Sequence, residues 1–430
     1  MRFAALLDIK SLLAALSSQL LPRLPARMLP SMLMSLLTLL AVPPLNAAAP
    51  PMQVVAPGTP LTFPADFGAH PAFRTEWWYA TGWLEQPDGK PLGFQVTFFR
   101  TATAHDASNP SRFAPKQLVI AHAALSDPAL GKLLHGQKIA REGFGLAWAR
   151  TGDTDVKLDQ WRLQRGTAND AATRSDYNAT ISTSDFAMSL HMTATQPPLL
   201  QGEQGYSRKG EKSAQASYYY SEPQLVVSGT VTRAGVTQTV RGTAWLDHEW
   251  STTVLDENAT GWDWTGINLA DGGALMAFQV RGKGGEKLWA HATMRSASGS
   301  LRQFSSSDVL FRPRRIWRSG RTGASYPVAM VLQTGDLLWQ LDPLQDDQEL
   351  DSRLSTGAVY WEGAITVRRT QVSPPVSEGK NAAPNSGATA PPVQNGGGSA
   401  VPNDLSGVMP GTLAGRGYLE LTGYFKPLKL

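Results

Sequence analysis

The 430-residue chain contains no cysteine. That excludes disulfides, thiolate metal sites, cysteine nucleophiles and lipid attachment to an N-terminal cysteine. Charge is sparse as well, 17% of residues against 42% hydrophobic. A chain so composed is not disordered end to end and can bury a sizeable core. Long stripes of helical period are scarce beyond residue 52, which argues against a helical bundle. The formal net charge is only +4, and Arg2, Lys10, Arg23 and Arg27 stand against one acid, Asp8, near the start. Without that segment the balance falls to about +1, and the electrostatic case for nucleic acid goes with it.

What is present begins with an apparent export leader. The basic segment runs into the uncharged stretch MLPSMLMSLLTLLAVPPL, then Asn46-Ala47-Ala48-Ala49-Pro50. A basic region, a short apolar region and a small-residue end are the parts of a secretory signal peptide. Pro30, Pro43 and Pro44 interrupt the apolar stretch, which disfavours a spanning helix. Residues 1–49 are therefore read as a signal peptide, and the mature protein as periplasmic or secreted.

Beyond it, short β-branched and aromatic runs alternate with Gly, Pro, Asp and Asn. Glu76 to Leu84 and Leu92 to Phe99 flank Pro87-Asp88-Gly89, a hairpin with Phe94, Val96 and Phe98 on one face. Further strands are expected at Leu118–Leu125, Phe144–Trp148, Phe186–Met192, Leu225–Val231 and Val240–Trp245. Sliding the chain by 184 places Trp78 on Trp262, Thr81 on Thr265, Gly82 on Gly266 and Phe94-Gln95-Val96 on Phe278-Gln279-Val280. This repeat implies two copies of one β-domain, 50–250 and 251–430. Residues 372–411, almost all Pro, Gly, Ser, Asn, Ala and Val, read as a disordered insertion in the second copy. The strands on either side, Tyr360–Val367 and Gly417–Tyr424, are expected to pair across it.

The runs HPAFRTEWWYATGWL, QGEQGYSRKG, ASYYYSEP, VRGTAWLDHEW, GWDWTG and GRGYLELTGY resemble the lipocalin-like proteins grouped with AttH and carotenoid 1,2-hydratase (hydroxyneurosporene synthase). The resemblance spans about His70 to Tyr424. It implies an all-β protein of two tandem lipocalin-like antiparallel β-barrels, in agreement with the repeat. It also implies hydration or cyclisation of an isolated C=C bond without metal or organic cofactor. Many exported relatives carry the label "secreted hydrolase".

Protonating an unactivated alkene needs an acid that keeps its proton and an electron-rich wall for the resulting cation. The densest polar cluster is Trp245-Leu246-Asp247-His248-Glu249-Trp250. Strand alternation puts His248 and Trp250 with Leu246 on one face, and Trp245, Asp247 and Glu249 on the other. His248 and Trp250 match the His-x-Trp element implied by the resemblance. The hydratases' acid on the following strands has no counterpart in Ala274–Phe278, so Asp247, Glu249 and Asp263 are the candidate substitutes. The alternative is a packed domain junction in which these groups satisfy buried polar atoms. Glu76, Trp78, Tyr79, His122, Trp262 and Trp264 are candidate ligand contacts, and a structural role for Trp78 is the competing reading. No local metal-ligand spacing occurs, so no metal is expected. Gly205-Tyr206-Ser207-Arg208-Lys209-Gly210 has one residue too many for G-x-S-x-G and reads as a turn. Arg312, Arg314, Arg315 and Arg318 could meet a membrane surface, or form a solvated edge strand balanced by Asp346, Asp347, Glu349 and Asp351. The function expected is binding of an extended apolar molecule (lipid, isoprenoid or polyene) at the cell envelope, linked to a transport system. The alternative is a hydro-lyase.

Overall fold

The computed structural model describes residues 52–105, 109–166, 175–253, 255–370 and 411–428. The expected leader and the expected disordered insertion at 372–411, apart from Gly411, lie outside the described residues. Apart from a short 3-10 turn at Ala65–Phe67, the named elements are strands.

The first sheet begins with β1 (Thr75–Glu85), β2 (Pro91–Ala102), β3 (Gln117–Asp127) and β4 (Lys132–Arg141). It continues through β5 (Ala147–Ala149), β6 (Asp155–Leu158), β7 (Trp161–Arg165), β8 (Asp176–Ser182) and β9 (Phe186–Thr193). Two short strands, β10 (Leu199–Leu200) and β11 (Tyr206–Arg208), precede the long β12 (Ala216–Arg233) and β13 (Val236–Ser251). The antiparallel order is β4-β3-β2-β1-β13-β12-β9-β8-β7-β6-β5, with β10 and β11 added to β12. Strand β3 lies against β5 and β6, which curls the sheet toward closure.

The second sheet contains β14 (Ala259–Leu269), β15 (Ala274–Gly282), β16 (Lys287–Arg295), β17 (Leu301–Phe304) and β18 (Val309–Arg318). It is completed by β19 (Ser325–Thr334), β20 (Leu337–Pro343), β21 (Glu349–Ser352), β22 (Ala358–Thr370) and β23 (Thr412–Leu421). Its order is β17-β16-β15-β14-β23-β22-β20-β19-β18, with β18 against β15 and β16. Strands β22 and β23 pair directly, Trp361 opposite Leu421, so the insertion leaves the ladder intact. The result is the expected all-β pair of lipocalin-like barrels.

The expected hairpin forms as β1–β2. Gly89 takes φ +80° in its turn, a conformation glycine adopts without Cβ strain. Phe94, Val96 and Phe98 join Trp78, Leu84 and Leu246 in the first barrel's core. Two local expectations fail. Phe144 is not in a strand, because Gly143, Phe144 and Gly145 all have positive φ and make a turn. Tyr206–Arg208 is a short strand on β12 rather than a turn; it joins no helix, so the nucleophile-elbow geometry is absent there too.

The repeat also needs a correction of one residue. Tyr79 opposes Thr97 in β1–β2, and Trp262 opposes Val280 in β14–β15. The hairpins therefore correspond at an offset of 183, and the identities at 184 lie on opposite faces. Trp78 packs inside the first barrel, whereas Trp262 packs at the surface between the sheets. With period-2 side chains, a one-residue slip exchanges every face.

Strands β1 and β2 and the second half of β13, residues 244–251, are buried on both faces. One face fills the first barrel; the other, with Tyr79, Trp83 and Trp245, packs on Trp264, Phe278 and Tyr418 of the second. Trp83 Nε1 donates to Gly417 O at 3.0 Å, Asn268 Nδ2 to Ala244 O at 3.0 Å, and Ser126 Oγ to Gln348 Oε1 at 2.7 Å.

Candidate active site between the barrels

The alternation of β1 and β13 creates two different polar centres back to back. Inside the first barrel, Glu76 sits opposite both Trp250 and Arg100. Its Oε1 accepts from His70 Nδ1 at 2.7 Å and His248 Nε2 at 2.9 Å. Its Oε2 accepts from Arg100 Nε at 2.8 Å and the His70 backbone N–H at 2.9 Å. Burial opposes ionisation, but these donors together hold the Glu76 carboxyl well below the usual range. His248 is pushed down by burial, and its Nδ1 lies 3.0 Å from the Tyr220 hydroxyl. Burial also disfavours charge on His70, yet Asp66 and Glu76 overcome it and raise its pKa. His70 stacks on Trp250 at 3.7 Å and His248 on Trp78 at 4.6 Å.

His70, Glu76 and His248 each offer a ligand atom within 4.8 Å of the others, although no local spacing signals it. Arg100 and the His70 amide already occupy lone pairs a cation would need, and the guanidinium would repel it. The cluster has the character of a saturated structural lock. Its Glu76 is ionised and so is no proton donor.

The other face of the same strands opens into a cavity of about 120 Å³ between the barrels. Thr75, Trp77 and Tyr79 of β1, Phe99 of β2, and Asp247 and Glu249 of β13 form one wall. Trp262, Trp264, Phe278, Tyr360, Glu362 and Glu420 form the wall from the second barrel. Asp247, Glu249 and Glu362 are buried, and Glu420 is partly so.

Asp247 accepts hydrogen bonds from Ser221 Oγ, Tyr219 Oη and Trp245 Nε1, each at 2.6 Å. Burial outweighs these bonds and pushes its pKa up to about 7. Glu362 and Glu420 face each other across β22 and β23. Burial raises Glu420 to about 7, and burial plus the neighbouring Glu420 raises Glu362 well above the carboxylate range. Two facing carboxylates in a largely buried site cannot both ionise cheaply, so a proton is retained. Glu362 Oε1 and the Tyr79 hydroxyl are buried without a well-aligned partner, although Tyr79 and Tyr360 flank that carboxyl. Glu249 differs: Lys209 Nζ lies 2.9 Å away, held over the Tyr219 and Phe278 rings.

Of the residues singled out from sequence, Tyr79, Asp247, Glu249, Trp262 and Trp264 meet at this cavity. Glu76, Trp78, His248 and Trp250 lie on the opposite face. Asp263 is inside the second barrel, bound to Arg281 at 3.0 Å, Gln279 at 3.0 Å and Tyr424 at 2.9 Å. His122 borders the cavity through Tyr360, with 2.8 Å from Nδ1 to the Tyr360 hydroxyl and 2.8 Å from Nε2 to Ser355 Oγ. Burial holds its pKa near 3, so it is neutral. Arg314 pairs with Asp342 and Arg315 with Asp346. Glu362 and Glu420 escaped the sequence reading; the available signal was a single acid in each strand, flanked by apolar and aromatic residues within 360–365 and 418–421.

Two antiparallel barrels joined over an aromatic, acid-bearing cavity define a tandem lipocalin-like protein. The chain belongs to the AttH-like family, whose model matches residues 54–380. It is 53% identical to an AttH candidate from Nitrosomonas europaea of known crystal structure, covering 86% of this chain and 99% of that one, with a TM-score of 0.72. Kievitone hydratase from Nectria haematococca is similar in fold, at 13% identity and TM-score 0.58 over 86% of this chain and 93% of that one. No curated protein matches the chain significantly.

Proposed function

We propose that the inter-barrel cavity binds one end of an apolar, unsaturated molecule and protonates its double bond, as a hydro-lyase does. The observation that carries this reading is the Glu362–Glu420 carboxyl pair in a cavity it shares with Trp262 and Trp264, Trp264 lying opposite Glu420 in the ladder. A wall that merely held hydrocarbon would gain nothing from four carboxylates, each costly to desolvate. A comparable apolar cavity of about 150 Å³ takes a benzene ring, so this one fits a branched five-carbon terminus rather than a whole polyene.

The proton moves from the Glu362 carboxyl to the less substituted alkene carbon. The π pair forms the new C–H bond, and the neighbouring carbon becomes a tertiary cation facing the indoles. Water adds to that cation through oxygen and gives its proton to the carboxylate left on Glu362, which yields a tertiary alcohol and restores the acid. Similarity in fold to a hydratase is compatible with this chemistry and supports the fold alone. The leader-like composition of residues 1–49 supports a periplasmic or extracellular setting for the reaction. Carriage of the same ligand without conversion is the second reading, favoured by the cavity's apolar wall.

The test is incubation with isoprenoid and polyene alkenes in D2O, followed by mass spectrometry of the products. Expected is one added water with deuterium on carbon, absent with Glu362→Gln. An alkene that binds unchanged to both proteins would establish carriage and refute the enzymatic reading.

A further inference from the structure

The cavity wall continues outward as an apolar row across the first sheet. Trp77 opposes Phe99, Phe99 opposes Ile120, and Ile120 opposes Ile139, so these side chains share one face. The row starts at the cavity and ends on Ile139, which is 43% exposed. Beside it, Arg141 opposes Leu118 at the end of β4. Here two loops bring exposed aromatics together: Phe113 and Phe144, 67% and 56% exposed, have ring centroids 5.3 Å apart. Arg141 spans both rings at 5.2 and 4.7 Å and donates to Phe113 O at 2.7 Å. Leu146, 47% exposed, completes the tip of the turn.

Two residues further on, Arg150, Lys157 and Arg162 gather within 6 Å of the Trp148 ring. Asp155 pairs with Arg150 and Arg162, and Glu142 is bonded back to the Ala149 backbone. Cations therefore outnumber acids around the tip.

We propose that this tip docks on an anionic lipid bilayer, with Phe113, Phe144 and Leu146 entering the interface and Arg141 meeting lipid phosphates. Projecting aromatics ringed by arginine match an apolar layer under a negative surface. A protein partner would be favoured by a recessed groove, and these residues stand on turns. The inference rests on reading the cavity as a site for an apolar molecule. Such a molecule, longer than the cavity, leaves its remainder in the bilayer while its end follows the apolar row inward. The site is distinct from Arg314 and Arg315, which are already paired with acids.

The missing cysteines make the test direct. Leu146→Cys and, as control, Leu301→Cys on β17 (55% exposed) are each labelled with an environment-sensitive fluorophore in the full chain. Vesicles of phosphatidylcholine alone and with phosphatidylglycerol are then added. Expected is a several-fold, blue-shifted rise at position 146 with the anionic vesicles only, and none at 301. In the Leu146→Cys background, Arg141→Glu lowers the apparent vesicle affinity about tenfold or more. An unchanged probe at 146, an equal response at 301, or indifference to Arg141→Glu overturns the proposal. A 146 signal that depends on protein concentration without vesicles would assign the face to a second copy instead. No substrate is used, so failure here is separable from failure of the proposed chemistry.

Discussion

Replacing Asp247 by Asn isolates the titration of one buried carboxyl of the cavity wall. Asp247 is 2% exposed, and its pKa rises from 3.8 to about 7 on folding because burial outweighs three hydrogen bonds. A carboxyl whose folded pKa is raised binds its proton more tightly when folded. Its stabilising effect is complete below pH 3.8 and lost as pH rises through 7. Between pH 5.5 and 7 the unfolded chain is already ionised while the native site is not, so stability falls by about 2 kcal/mol from this residue. Above pH 7 both states are ionised and the residue's contribution flattens. Asn keeps an oxygen for Tyr219 and Ser221 and cannot titrate. Urea unfolding at pH 5.5 and 8.5 should show the wild type losing about 2 kcal/mol more than Asp247→Asn over that interval. Parallel losses in the two proteins, or a wild type that gains stability toward pH 8.5, would refute the argument.

Other consequences follow from the two centres. Arg100→Met leaves the buried Glu76 without its cation and should cost about 3–5 kcal/mol in thermal or urea unfolding. The double variant with Glu76→Gln should recover most of that loss; no recovery would contradict the ion pairing. His122→Phe removes the bridge from β3 to Tyr360 and Ser355 and should cost about 2–3 kcal/mol, with no new titration near pH 6–7 in the wild type. Nuclear magnetic resonance of the His122 ring checks the second point, since a protonated ring at pH 6 would contradict its burial.

The architecture was legible because the apolar alternation and the Asp-Gly turn report local structure. The site was less so. Alternation separated Asp247 and Glu249 from His248 and Trp250 correctly, but both faces of this half of β13 are buried, so it could not say which face met a cavity. The family resemblance drew attention to His248 and Trp250, which serve the Glu76 lock. The cavity acids Glu362 and Glu420 are 58 residues apart in sequence, and only strand register makes them neighbours. The offset of 184 likewise preserved residue identities while exchanging faces, a slip invisible without hydrogen-bond partners.

The central claim is that the Glu362–Glu420 pair holds a proton at neutral pH. Infrared difference spectroscopy between the wild type and Glu362→Gln at pH 7 reads it most directly. Expected is a protonated-carboxyl C=O stretch in the wild type that shifts in D2O and vanishes in the variant. A difference spectrum showing only carboxylate bands at pH 7 would contradict it.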